Sequence, residues 1–161
     1  MTPQIEISFF LNGTRFKGLV SPTMTLLDFL RNEMELTGAK DSCGGEGECG
    51  ACTVIMDGQA INSCLMLMGQ LEGRAITTIE GLSLHGEIHP IQQAFISAGA
   101  VQCGFCTPGA VLATKALLDR DPNPSEDIIR EALAGNLCRC TGYTKIVAAV
   151  RIAAREMNHA R

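Results

Sequence analysis

A chain of 161 residues with 46% hydrophobic residues, six Phe, one Tyr and no Trp has room for one ordinary domain or two small ones, with cores of aliphatic side chains and Ala. Its 13 Lys and Arg against 17 Asp and Glu give a net charge of −4 without any basic block, which argues against nucleic acid as a partner. Met1 to Leu11 has no basic n-region, no Arg-Arg pair and too short an apolar run for a signal, and no run is long enough to span a bilayer. The expectation is a soluble cytoplasmic protein.

In chain order, Ile5 to Leu11 reads as a strand, Asn12-Gly13 as a tight hairpin turn, and roughly Arg15 to Val20 as the returning strand. Ser21-Pro22-Thr23 opens a predicted helix whose apolar positions Met24, Leu27, Leu30 and Met34, with Leu26 and Phe29, recur at helical spacing. These methionines read as core filler. Thr53 to Met56 is a further strand, Asp57-Gly58 a turn, Ala60 to Ser63 the return into Cys64, and Ala75 to Ile79 another short strand. One helix among such strands describes a small β-grasp-like sheet over residues 1–82, and Gly81 to Glu87 is the candidate linker.

From Ile88 the period becomes helical. Ile91, Ala94, Phe95 and Ala98 give one helix stopped at Gly99, and Pro108 starts a second through Val111, Leu112, Lys115, Leu117 and Leu118. Asp121-Pro122-Asn123-Pro124 breaks the chain. Asn123 is the predicted cap of the next helix, with Pro124 in its first position, Glu126 completing a capping box, and Ile128, Ile129, Ala132 and Leu133 as its apolar stripe. A last helix, about Thr144 to Met157, buries Ile146, Val147, Val150 and Ala154. The fold class is thus α+β, with an all-α four-helix unit at residues 88–161 joined to the sheet by residues 83–87.

The cysteines carry the chemistry. Cys43, Cys49 and Cys52 lie in a glycine-rich loop closed by Cys64, and Cys103, Cys106, Cys138 and Cys140 form a second group; none of the eight is left over. Four thiolates twice fit two iron–sulfur clusters, the plant-type spacing being C-x4-C-x2-C with a distant fourth Cys. Gly44, Gly45, Gly47 and Gly50 let the loop curl with positive φ and turn backbone N–H groups towards sulfur. Five residues rather than four separate Cys43 from Cys49, an extra residue expected to be absorbed at Gly44-Gly45.

Other readings are weaker. Disulfides suit an even count but belong to oxidising compartments, and nothing signals export. Structural zinc also uses four cysteines, though its knuckles are usually C-x2-C and Cys138-Arg139-Cys140 is tighter. Packing accounts for single buried cysteines rather than two groups. His85, His89 and His159 have no second ligand at metal spacing and read as solvated. Gln102, directly before Cys103, either points into a neighbouring site or bonds its local backbone, while Arg139 either offsets cluster charge or reaches solvent.

The segments Cys43 to Cys52, Gln102-Cys-Gly-Phe-Cys-Thr-Pro-Gly109 and Gly135-Asn-Leu-Cys-Arg-Cys-Thr-Gly-Tyr143 resemble the small iron–sulfur subunit of the molybdenum hydroxylases, the xanthine dehydrogenase and aldehyde oxidase family. The likeness covers nearly the whole chain, the extra residue before Cys49 departing from it. It implies a plant-ferredoxin-like domain with a [2Fe–2S] cluster on Cys43, Cys49, Cys52 and Cys64, then a helical domain with a second on Cys103, Cys106, Cys138 and Cys140. It further implies a large subunit with molybdopterin near Gln102 and Cys140, and a medium subunit with FAD, in a hetero-oligomer or a dimer of heterotrimers. The chain then carries no substrate site or catalytic residue of its own and relays electrons singly from molybdenum to FAD. The substrate falls to the large subunit, an N-heterocycle of purine or nicotinate type ahead of an aldehyde, carbon monoxide or an aromatic acyl-CoA. A free-standing two-cluster ferredoxin and a zinc-stapled interaction module are the alternatives.

Overall fold

The computed structural model describes residues 3–83 and 86–159, so Met1 and His85 lie outside the described residues. Strands β1 (Ile5–Leu11) and β2 (Thr14–Val20) form an antiparallel hairpin with Phe9 opposite Phe16. Its turn has left-handed φ at both Asn12 (51°) and Gly13 (80°), the geometry that matches strand twist. Strands β3 (Thr53–Met56), β4 (Gln59–Asn62) and β5 (Ala75–Thr77) complete a mixed sheet in the order β2-β1-β5-β3-β4, with β5 parallel to β1. Ile7, Phe9 and Leu11 alternate into the core, where the rings of Phe9, Phe16 and Phe29 pack at centroid distances of 5.0 to 5.8 Å.

The first helix begins later than the sequence predicts. Thr25 is its cap, with Oγ1 accepting from the Asp28 N–H at 3.0 Å, and α1 (Leu26–Asp28) runs on into a π turn over Phe29–Glu33. Residues 21–24 are held by the segment after Cys64, since Gly69 N–H donates to the Pro22 carbonyl and Met68 N–H to that of Met24. That pairing overrides the local start signal. Met24, Met34, Met56 and Met66 pack against the core and Met68 is buried within it, as filler should be.

The second half comprises α2 (Pro90–Ser97), α3 (Thr107–Arg120), α4 (Glu126–Ala132) and α5 (Thr144–His159). Two starts need correction. Ser125, not Asn123, caps α4, because Asn123 donates its N–H to Asp121 Oδ1 at 3.0 Å in a local turn while Ser125 Oγ accepts from Ile128. His89 is half-buried rather than solvated: its Nδ1 accepts the Ile91 N–H at 3.2 Å and so caps α2. His159 is exposed, as expected.

Helix α2 packs against α5, and α3 lies across β3. Ile55 of β3 and Leu82 are therefore buried in the helical core beside Ile91, Phe95, Val111 and Val150. The sheet and the helices share a wall, and both cysteine groups lie close to it. No described helix is long and apolar enough to cross a membrane.

Candidate metal centres

The loop from Cys43 to Cys52 links α1 to β3, and Cys64 sits in the 3-10 turn Ser63–Leu65 that follows β4. Gly44, Gly45, Gly47 and Gly50 all have left-handed φ, between 66° and 83°. At Gly44-Gly45 Asp41 Oδ1 accepts both N–H groups, at 2.9 and 3.2 Å. A Cβ at Gly47 would meet the exposed Leu65 side chain, which would have to shift.

Cys52 Sγ and Cys64 Sγ are 3.4 Å apart and buried, while the Cys43 thiol contacts that of Cys49. Two thiolates on one tetrahedral metal at about 2.3 Å would stand about 3.8 Å apart. In the second group Cys103 and Cys140 are 3.6 Å apart and exposed, and Cys106 contacts Cys138. The thiols thus approach in pairs, two pairs to each group. Among the described residues no three or more His, Cys, Asp or Glu side chains close on a single metal-ion position.

The donor chemistry suits sulfide-bridged iron, which places negative charge on every sulfur. Backbone N–H groups of Cys49 and Glu48 bring the metal-free Cys43 thiol down to about 7. The Phe105 N–H lowers Cys103, and its contact with Cys103 raises Cys140. Burial pushes Cys64 and Cys106 up to about 12. Burial also acts upward on Cys138, yet hydrogen bonds from the Thr141 hydroxyl and amide bring that thiol down to about 7.

Between the groups the backbones touch. Leu137 N–H donates to the Cys49 carbonyl at 2.9 Å, and Asn136 Nδ2 donates to the Gly50 carbonyl at 3.0 Å and to Thr53 Oγ1 at 3.1 Å. A Cβ at Gly50 would strike Gly135 O, and one at Gly109 would strike Gly50 O, so glycine permits the approach. A cleft of roughly 430 Å³ separates Cys43 and Cys49 from Cys103, Cys106 and Cys138. Lys40 Nζ lies 5.7 Å from the centroid of the Phe105 ring, which lines that cleft.

Gln102 and Arg139 are both exposed beside the exposed Cys103 and Cys140. Leu137 and Phe105 nearby are 55% and 42% exposed. Sequence reasoning did not single out Asn136, Thr141, Tyr143 or Asp41. Three of these lie in the Gly135–Tyr143 segment, whose density of polar and special residues around two cysteines was the available signal.

Residues 9–76 match the family described as "2Fe-2S iron-sulfur cluster binding domain" and residues 78–151 match the "[2Fe-2S] binding domain". The chain is 51% identical over 150 residues to the nicotinate dehydrogenase small FeS subunit of Eubacterium barkeri, covering 93% of this chain and 95% of that one. It is 47% identical over 151 residues to a probable xanthine dehydrogenase subunit of Bacillus subtilis, covering 94% and 86% of the two chains. Among solved structures, a chain of quinoline 2-oxidoreductase from Pseudomonas putida 86 superposes with a TM-score of 0.91 at 41% identity, covering 97% of each.

Proposed function

The chain belongs to the small [2Fe–2S] subunits of the molybdenum hydroxylases, the xanthine dehydrogenase and aldehyde oxidase family, and from that membership we propose that it relays electrons from a molybdopterin centre in a large subunit to FAD in a medium one. Cys43, Cys49, Cys52 and Cys64 hold the first cluster, in a plant-ferredoxin-like domain of residues 1–82. Cys103, Cys106, Cys138 and Cys140 hold the second, in a four-helix domain of residues 88–161. When bound, each cluster accepts and releases one electron at a time. The complex is a hetero-oligomer of the cytoplasm, with Gln102 and Cys140 against the pterin.

The relay reading is carried by the Leu137 N–H to Cys49 carbonyl bond, which ties the two thiol groups together through backbone. The chain's own contribution is to fix eight sulfurs, turn N–H groups towards them, and exclude water from Cys49, Cys52 and Cys64, all at most 9% exposed. Exposed Phe105 and Leu137 line the cleft beside the second group and favour a standing partner over a diffusible ferredoxin. Because relatives are named for nicotinate and xanthine, and a solved one for quinoline, the substrate class of the complex is an N-heterocycle.

Iron and acid-labile sulfide analysis with EPR of the dithionite-reduced protein should give two distinct [2Fe–2S] signals; zinc in their place would end the reading. Cys140→Ser should remove one signal and stop turnover. Gln102→Ala should keep both signals while weakening communication with the large subunit, and an unchanged complex rejects its pterin role.

A further inference from the structure

We propose that the hydroxyl of Thr141 sets the reduction potential of the second cluster by donating a hydrogen bond to Cys138 Sγ, an inference that rests on the assignment of Cys138 as a ligand. Thr141 Oγ1 lies 3.1 Å from Cys138 Sγ and its amide nitrogen 3.5 Å away. A hydroxyl has one proton to give and can accept at the same time. The Tyr143 N–H donates to Thr141 Oγ1 at 3.2 Å and occupies a lone pair, which leaves the proton free to be given to the sulfur 3.1 Å away.

The neighbour is itself held in an unusual state. Tyr143 has φ 67°, a left-handed conformation uncommon for a bulky side chain and one that persists only where the surroundings impose it. Two contacts impose it. Its phenol oxygen accepts the Cys138 N–H at 2.9 Å, and its ring packs against the helical core. A closed circuit results, in which Cys138 N–H is committed to Tyr143, Tyr143 N–H to Thr141, and the Thr141 hydroxyl to Cys138 sulfur. The ordinary account of Thr141 as a turn-closing residue explains its bond to Tyr143 but not the approach of its hydroxyl to a ligand.

Reduction adds one electron to the cluster, with no bond broken and no proton taken up, and the added charge is shared onto the thiolate sulfurs. A donor aimed at one of those sulfurs stabilises the reduced form more than the oxidised form and raises the potential. No hydroxyl donates to a cysteine sulfur of the first group among the described residues, so that cluster serves as an internal reference.

The test is an EPR-monitored redox titration of the assembled complex with dithionite as the one-electron reductant. In Thr141→Val the reduced-to-oxidised ratio of the second cluster, read at the wild-type midpoint, should fall by about three- to tenfold, the range expected for one hydrogen bond. The first cluster should not move, and Thr141→Ser, which keeps the donor, should titrate like wild type. If Thr141→Val does not retain the second cluster, Thr141→Ala is titrated instead with the same expectation. An unchanged midpoint in Val or Ala, a Ser variant displaced as far as Val, or loss of the second signal in both Val and Ala overturns the proposal. A wild-type complex without a second [2Fe–2S] signal would instead reject the ligand assignment.

Discussion

The amide nitrogen of Leu137 lies 2.9 Å from the carbonyl oxygen of Cys49, so a neighbour of one thiol group is bonded directly to a member of the other. Asn136, 8% exposed, secures that contact through the Gly50 carbonyl and Thr53 Oγ1. Asn136→Ala would remove both bonds while the Gly50 carbonyl keeps the Thr53 hydroxyl and N–H, a loss of about 0.5–1.5 kcal/mol per bond. Thermal unfolding should register the loss, and rapid-mixing EPR should show slower exchange of electrons between the clusters. An Ala variant that matches wild type in both would remove Asn136 from the relay.

His89 carries a pH dependence. Burial, with Lys115 acting the same way and Asp119 opposing, lowers its pKa in the folded chain below the unfolded value near 6.5. The folded state therefore favours the neutral ring, whose Nδ1 caps α2. Stability is full above the unfolded pKa and declines as pH falls through the folded one. Melting temperature should drop as pH falls below about 6.5, and His89→Asn, which keeps a capping acceptor without a titration, should flatten that drop. An identical slope in the two proteins would assign the pH effect to other groups.

Strands β1 and β3 were legible to the residue and the start of α3 to within one, because periodicity, Asn12-Gly13 and Asp57-Gly58 turns, and Pro108 all agreed with the packing. The start of α1 was not, because what sets it is a pairing with residues 66–69 that no local pattern announces. Nor was the cap of α4, where Asn123 and Ser125 are both good capping residues and the Asp121 turn decides between them.

The cysteine groups were legible from count and spacing. Their relation was not, since the approach of Gly50 to Gly109 and Gly135 joins positions separated by long stretches of chain. Thr141, whose hydroxyl reaches the Cys138 sulfur, and Asn136, which joins the two loops, resemble any loop residue until the backbone places them. The role of His89 is hidden for the same reason, because it depends on the half-buried start of α2 rather than on a ligand partner.

Asp41 braces the first loop. Its carboxylate holds the Gly44 and Gly45 N–H groups, each bond contributing about 0.5–1.5 kcal/mol. Asp41→Ala should loosen the segment between Cys43 and Cys49 and speed loss of the first cluster in air, with the second unchanged. Asp41→Asn retains an acceptor and should recover most of the lifetime. The two EPR signals, followed over time in air, check this; loss of both together in Asp41→Ala would show that the loop is not held locally.

Exposure also orders the clusters by their resistance to chelation. Cys103 and Cys140 are exposed, whereas Cys52 and Cys64 are 2% and 7% exposed and belong to the core that includes Phe9, Phe29 and Met68. A chelator added to the reduced, isolated chain should strip the second cluster first and leave the sheet folded. Removal of the first should follow slowly and take the N-terminal core with it, because the thiols left behind are buried among apolar side chains around a site that iron had cross-linked. In the assembled complex the partner proposed to cover Phe105, Leu137 and Cys140 should slow loss of the second cluster selectively. EPR of each cluster with far-ultraviolet circular dichroism follows both processes, and equal loss rates in the isolated chain would separate accessibility from cluster lifetime.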